Sequence, residues 1–506
     1  MDRKRTLLLA GIVLLVVTLP YGYAALQSDS RAVFQGFLAN QFDGYSYLAK
    51  MYQGREGSWL FTLPFTAEPG EGTFMFTYYL FLGHAARWTG VGLIWIFHLA
   101  RVLAAVFLVF AISGFFRQTV FPEQPRAARL ATLLAVFGSG LGWITALAGL
   151  VTADFWVAEA YPFLSMYTNP HFPLGLGLLL TIFRLALLPL TPRRGVTLFL
   201  LGTLLAIILP FGLVIAGAML GGKFVWDSIE MRSFRPWKYI PLFAGGLPVV
   251  AYQFYVSATH PVLAGWNAQN ITTSPPLWDF LISFSPALLF GLLGLRSAWQ
   301  NRSAPGMRLV LVWFVLGALL AYIPLSLQRR FFMAYYIPTA AMAIIGLQSA
   351  QRVWRRKWLA PALFVLSVLT PVMLLTSEMI SVRAQPYQLY WTAEERAALD
   401  WIGENTPPDA LILTGPDTGA SIPAITGRRV LYGHAFETAN AIQEKATVIG
   451  VFSGRIDPQK LIAERGVDYV LVGPREHKLG NWTPPQSLKV VFAQGIVTIY
   501  QVEETP

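Results

Sequence analysis

Apolar runs close to twenty residues long recur from Leu7 to Thr376 and then stop. As a helix, a run of that length crosses the roughly 30 Å hydrocarbon core of a bilayer, and each backbone polar group finds its partner within the segment. Composition points the same way. Of 506 residues 55% are hydrophobic and 13% charged, about half the charged share of a soluble domain. No single core absorbs so much apolar surface, so lipid must cover it. Spans are expected at 7–26, 92–116, 128–151, 171–190, 195–209, 211–230, 238–258, 278–297, 308–326, 333–350 and 358–376. Leu198–Leu220 is divided at Pro210, which ends one short helix and opens the next. Phe74–Trp88 is read as a helix lying on the outer surface. The first run is read as an uncleaved span, because a signal peptide's apolar core has only about 7–15 residues. The expected fold is a polytopic α-helical membrane protein of about eleven transmembrane helices (1–376), followed by an extracytoplasmic α/β domain (377–506).

Charge decides the orientation. Nineteen lysines and arginines between Arg3 and Lys357 fall on one side of this map. The short loops of the other side hold only Arg31, Lys50, Arg55, Arg87, Arg329 and Arg330. The positive-inside rule makes the first side cytoplasmic, so the N-terminus is expected inside and the C-terminal domain outside a bacterial inner (plasma) membrane. Making Phe74–Trp88 a crossing would strand Arg117, Arg126 and Arg129 outside. The net charge of +11 is thereby explained by topology. No basic patch with interleaved aromatics points to nucleic acid. The absence of cysteine excludes disulfides, thiolate metal sites and cysteine nucleophiles.

Three outer segments carry the polar residues: 27–91, 152–170 with Asp154 and Glu159, and the uncharged, Trp-, Asn- and Pro-rich 259–277. Beyond Ser377, Thr392 with Glu395 three residues on forms a capping box that opens a helix. Ala410–Leu413, Val467–Val472, Lys489–Ala493 and Ile496–Val502 read as strands. No glycine-rich phosphate loop follows any of them, which argues against nucleotide binding there.

The most informative stretch is Asn40-Gln-Phe-Asp-Gly-Tyr-Ser-Tyr-Leu-Ala-Lys-Met-Tyr-Gln-Gly54. Tyr45, Leu48, Ala49 and Tyr52 share a helical face, so residues 44–53 read as an amphipathic helix at the outer interface. Asp43 stands at its start, either as an N-cap or as a carboxylate with chemistry to do. This layout resembles the GT-C class of membrane glycosyltransferases, which includes oligosaccharyltransferase catalytic subunits, protein O-mannosyltransferases and aminoarabinose transferases. Phe42-Asp43-Gly-Tyr-Ser-Tyr-Leu-Ala-Lys-Met51 matches the aspartate that follows the first span in that class. Tyr78–His84, His98-Leu-Ala-Arg101, Asn169-Pro-His-Phe172 and Gly427–Glu437 resemble a bacterial subgroup of it. Gly44 replaces the second acid of the O-mannosyltransferase pair, and the Trp-Trp-Asp signature of oligosaccharyltransferases is missing.

The resemblance implies an inverting hexosyl- or pentosyltransferase. Its donor would be a polyprenyl-phosphate sugar, and its acceptor an envelope glycan, lipid or protein. Asp43 would take the proton of the acceptor hydroxyl, with Asp154 or Glu159 as a second carboxylate. Arg329 and Arg330, outside against the charge bias, suit the leaving phosphate. Arg101, one turn from His98 within a span, and His171 are further candidates for that phosphate. Some members of that class use a divalent cation, and Asp43 with Asp154 could hold one, Mg or Mn. A transporter or flippase of lipid-linked sugars and a non-catalytic envelope-glycan assembly factor are the alternatives. The candidates gather on one face, without the paired broken helices of a midplane transport site.

Overall fold

The computed structural model describes residues 3–230, 232 and 234–503. Met1 and Asp2 ahead of the first apolar run, and Met231 and Ser233 of the Lys223–Trp237 stretch, lie outside them. The chain forms two compact units: Met1–Pro20, His98–Tyr252 and Ile271–Ile380 in the first, Tyr21–Phe97, Gln253–Asn270 and Ser381–Pro506 in the second.

The first unit is helical, and the protein is a multi-pass membrane protein. Helices occupy all eleven expected positions, but they are not alike. Among the described residues six are long and apolar enough to cross a bilayer: Arg3–Leu26, Leu93–Val120, Pro125–Ala146, Pro210–Glu230, Ile240–Thr259 and Leu359–Val382. His171–Ala186 and Pro305–Leu320 have only 16 residues each and Pro192–Ile208 has 17. At 1.5 Å per residue these reach about 24–26 Å, somewhat short of a hydrocarbon core. The expected 278–297 span is not one helix. Leu277–Phe284 and Ala287–Gln300 meet at 82°, because Pro286 between them has no backbone N–H to donate and disfavours helical geometry at Ser285. The 128–151 span is likewise interrupted. Its helix ends at Phe137 and resumes as a short turn at Gly142–Ala146. Pro210 does separate two helices, Pro192–Ile208 and Pro210–Glu230.

In the second unit the segment after the first helix and the C-terminal segment fold together. Strand β1 (Ala32–Phe34) pairs antiparallel with β2 (Tyr390–Thr392), and Thr392 and Glu395 form the expected capping box. A five-stranded sheet follows from β3 (Leu411–Leu413), β4 (Arg429–Val430), β5 (Tyr469–Val472), β6 (Leu488–Gln494) and β7 (Val497–Val502), ordered β4-β3-β5-β7-β6. The first three are parallel, while β7 runs antiparallel to both β5 and β6. Leu413, Val448, Val451, Phe452 and Val470 lie in the core beneath it. A second apolar cluster joins Phe61, Leu63 and Leu80 of the first loop to Val256 and Leu263.

Ligands of doubly wound sheets bind outside the carboxyl ends of strands where the order reverses, here beside β3 and β5. Glu476 fills that place. Its carboxylate accepts from the Gly415 and Gly473 amides and the Thr414 and Thr418 hydroxyls at 2.6–3.0 Å.

Candidate functional site

In the second unit the helix bearing Asp43 runs from Gln41 to Arg55. Its N-cap is Asn40, in the left-handed region at φ 52°. Asp43 is therefore the third helical residue and not the cap. A carboxylate there gains from the positive end of the helix dipole. The face of Tyr45, Leu48 and Ala49 is buried against protein, so it is a packing face and not one laid on lipid. Two glycines set its close approach to the Thr77–Thr89 helix. A Cβ at Gly54 would lie 2.1 Å from the Leu80 carbonyl oxygen, and one at Gly83 would lie 2.0 Å from that of Met51. The Leu-Gly-His84 stretch thus serves packing, and His84 is held between Trp59 and Trp88 with Nε2 3.1 Å from the Ser58 carbonyl.

Residues nearly four hundred positions apart meet on this helix. Lys50 is fully buried, and its ammonium donates to both Glu437 oxygens at 2.7 and 2.8 Å and to Ser46 Oγ at 2.6 Å. The Ser46 hydroxyl donates in turn to Glu437 Oε1 at 2.6 Å, and the Phe76 ring lies beneath the ammonium at 4.5 Å. Burial alone would raise the Glu437 carboxyl, but the Lys50 charge above all holds it below its usual range. Three residues earlier, His434 Nε2 lies 3.7 Å from Asp43 Oδ1. The His434 side chain is 4% exposed and that of Asp43 49%. Asp43 thus looks outward from a cluster whose other members are buried.

The remaining candidates lie in the first unit. Glu159, Arg329 and Arg330 come together: the buried Glu159 carboxylate is 3.4 Å from Arg329 Nε and 3.3 Å from Arg330 Nη1. The Arg329 guanidinium also lies over the Trp156 ring at 5.0 Å. Asp154 is buried and bound on both oxygens. Oδ2 accepts from the Gly140 and Gly142 amides at 3.2 and 3.0 Å, and Oδ1 from the Thr152 hydroxyl at 2.7 Å. Burial pushes its carboxyl up against these bonds. Asp154 thereby organises its own loop, together with Asp279, a residue not singled out in the sequence. The Ser283 hydroxyl lies 2.5 Å from Asp279 Oδ1 and 3.3 Å from Asp154 Oδ1, and the Ala153 amide donates to Asp279 at 2.9 Å.

Arg101 is buried, and its guanidinium donates to the carbonyls of Val17, Met166 and Tyr167 at 3.0–3.2 Å and to His98 Nδ1 at 3.2 Å. Those bonds tie three helices together. His171 is the first residue of the His171–Ala186 helix, its ring 4.1 Å from that of Phe172.

Among the described residues no group of three or more His, Asp or Glu side chains could hold a metal ion. Of the pair expected to hold a cation, Asp43 lies in the second unit and Asp154 in the first.

No family model matches the chain, and no curated protein matches it. Solved structures do. The apo oligosaccharyltransferase of Archaeoglobus fulgidus matches at a TM-score of 0.54 and 14% identity, over 93% of this chain and 70% of that one. Its complex with zinc and sulfate gives 0.52 at 14% identity, over 90% and 67%. AglB from the same archaeon, with an inhibitory peptide and a dolichol-phosphate, gives 0.50 at 13% identity, over 91% and 69%. The fold is that of the GT-C glycosyltransferases. Within the GT-C fold two of the resembling stretches, Phe42–Met51 and Gly427–Glu437, prove to build one cluster in the second unit. Lys50 and Glu437 had no signal of their own in the sequence. The nearest hint was that Lys50 falls in a loop read as outer, against the charge bias.

Proposed function

We propose that this protein is a membrane glycosyltransferase that moves a sugar from a polyprenyl-phosphate carrier to a hydroxyl of an envelope glycan, lipid or protein on the outer face. The observation that carries this reading is Asp43. On a GT-C fold it is a half-exposed carboxylate held in the first turn of a packed helix, with buried polar partners behind it. Asp43 takes the proton of the acceptor hydroxyl as its oxygen attacks the anomeric carbon from the side opposite the phosphate, so configuration inverts. The bond from that carbon to the phosphate oxygen breaks, and polyprenyl phosphate leaves with the electron pair. Arg329 and Arg330 are the cations offered to that phosphate, with Glu159 as their counter-ion until it arrives. This reading leaves Arg101 and Asp154 to the bonds they already make and keeps His171 as a further candidate for that phosphate.

The orientation of this reading has the N-terminus cytoplasmic and the C-terminal domain outside. The dolichol-phosphate held by the archaeal relative agrees with a lipid-phosphate carrier. Purified protein is expected to consume undecaprenyl-phosphate pentoses or hexoses and to ignore nucleotide sugars. Efficient turnover of a soluble nucleotide sugar with no lipid carrier present would sink the assignment. Arg329→Gln with Arg330→Gln should weaken undecaprenyl phosphate binding by at least about tenfold, since each charge-assisted bond contributes roughly 1.5–3 kcal/mol.

A further inference from the structure

Within the second unit, His434 is fixed more tightly than a packing histidine needs to be. Its backbone amide donates to Thr438 Oγ1 at 3.1 Å, and the Thr438 amide donates back to the His434 carbonyl at 3.0 Å. Ring atom Nδ1 accepts from the amides of Phe436 and Glu437 at 3.1 and 3.2 Å. An atom that accepts from two amides carries no proton, so in the neutral ring the proton sits on Nε2. That N–H is buried and has no hydrogen-bond partner among the described residues. It faces Asp43 Oδ1 across 3.7 Å, too far for a direct bond. An oxygen about 2.9 Å from each atom would bridge that separation. A buried N–H left without a partner costs about 1–3 kcal/mol, so the geometry favours an oxygen there.

We propose that His434 Nε2 and the Asp43 carboxylate together form the seat of one hydroxyl oxygen, that of the glycosyl acceptor. This rests on the reading of Asp43 as the base. Nε2–H donates to one lone pair of the acceptor oxygen, which turns its O–H toward Asp43. A second lone pair is left for the anomeric carbon. In the transfer the oxygen–carbon bond forms, the carbon–phosphate oxygen bond breaks, and the hydroxyl proton passes to Asp43, which later releases it to water. His434 keeps its proton throughout and is a positioning residue. The Lys50–Glu437 pair below fixes the height of the His434–Glu437 turn against the Asp43 helix.

Full-length protein in detergent serves the test, with water as the smallest hydroxyl acceptor. A map that resolves ordered water should place an oxygen within about 3 Å of both Nε2 and Asp43 Oδ1. Two substitutions divide the ring's duties. His434→Asn keeps an acceptor for the Phe436 and Glu437 amides and removes the outward donor, whereas His434→Gln keeps a donor near the place of Nε2. With undecaprenyl-phosphate arabinose, mannose and glucose in turn, His434→Asn should slow donor hydrolysis by about tenfold, one hydrogen bond's worth. Binding of undecaprenyl phosphate should stay unchanged, and His434→Gln should recover most of the rate. Equal losses in the two variants, or a map with no bridging oxygen, overturn the seat. Hydrolysis that survives Asp43→Asn, or no donor consumed by the unmodified protein, overturns the glycosyltransferase reading instead, and the map then decides alone whether an oxygen is seated.

Discussion

Lys50 and Asp43 sit two turns apart on one helix, and the substitutions that probe them have opposite costs. Asp43→Asn alters a half-exposed side chain that caps nothing, because Asn40 stands at the cap. Expression and thermal stability should stay near normal, while transfer falls by at least about 100-fold, the low end for a positioned base. Lys50→Met should do the reverse. It leaves Glu437 buried and unpaired, a loss of about 3–5 kcal/mol, visible as a lowered unfolding midpoint; adding Glu437→Leu should restore most of it. The same pair predicts acid lability. Glu437 is held below its ordinary value of 4.5, so its contribution is complete above about that pH. It is lost as pH falls through the lowered folded value. The Glu437→Leu, Lys50→Met double variant should lack that part of the acid transition. The Asp43 helix was legible from the sequence because its residues, Gln41–Arg55, lie in one continuous stretch. The Lys50–Glu437 pair was not, since no local pattern tells a buried lysine that its partner waits 387 positions on.

At the scale of elements, legibility followed the range of the forces involved. The capping box at Thr392 and Glu395 is a local exchange of two hydrogen bonds, and it stands where the pattern put it. Four of the sheet's five strands fall on the expected apolar stretches, β6 one residue longer at each end, but β4, with only Arg429 and Val430, exists because β3 lends it a neighbour. The bent pair at Pro286 shows the converse. Its apolar run is continuous, and hydropathy says nothing of the missing N–H that divides it. Asp279 was passed over in the same run, a lone acid at the start of an expected span. Glu476 offers a prediction at this scale. Its carboxylate joins the ends of β3 and β5 by accepting from the Gly415 and Gly473 amides. Glu476→Ala should leave both amides without that acceptor, at about 1–3 kcal/mol each. Hydrogen exchange at Gly415 and Gly473 should accelerate far more than at Val448 in the core beneath. Unchanged protection at both glycines would mean that the sheet holds its edge without the plug.

For the whole molecule the open quantity is the number of crossings, because length and charge answer it differently. The six helices that satisfy length and hydropathy, taken alone from a cytoplasmic N-terminus, would leave Ser303 outside and Ala446 inside. They would also strand Arg352, Arg355, Arg356 and Lys357 outside, against the positive-inside rule. Counting the bent pair as a seventh span moves Ser303 inside and Ala446 outside, but keeps Ser326 inside. Eleven crossings put Ser303 inside and both Ser326 and Ala446 outside, with Arg329 and Arg330 beside Ser326 on the outer face. Charge favours eleven, and a bilayer accommodates a helix a few ångströms short by thinning at modest cost. All three positions are exposed, and the chain has no cysteine of its own, so single cysteines there report cleanly. In intact cells Ala446→Cys and Ser326→Cys should react with a membrane-impermeant thiol reagent, and Ser303→Cys should react only after lysis. Labelling of Ser303→Cys with Ala446→Cys silent would reduce the crossings to six. Silence at Ser326→Cys, with Ala446→Cys labelled, would give seven, and would remove Arg329 and Arg330 from the face on which the lipid-linked donor is proposed to react.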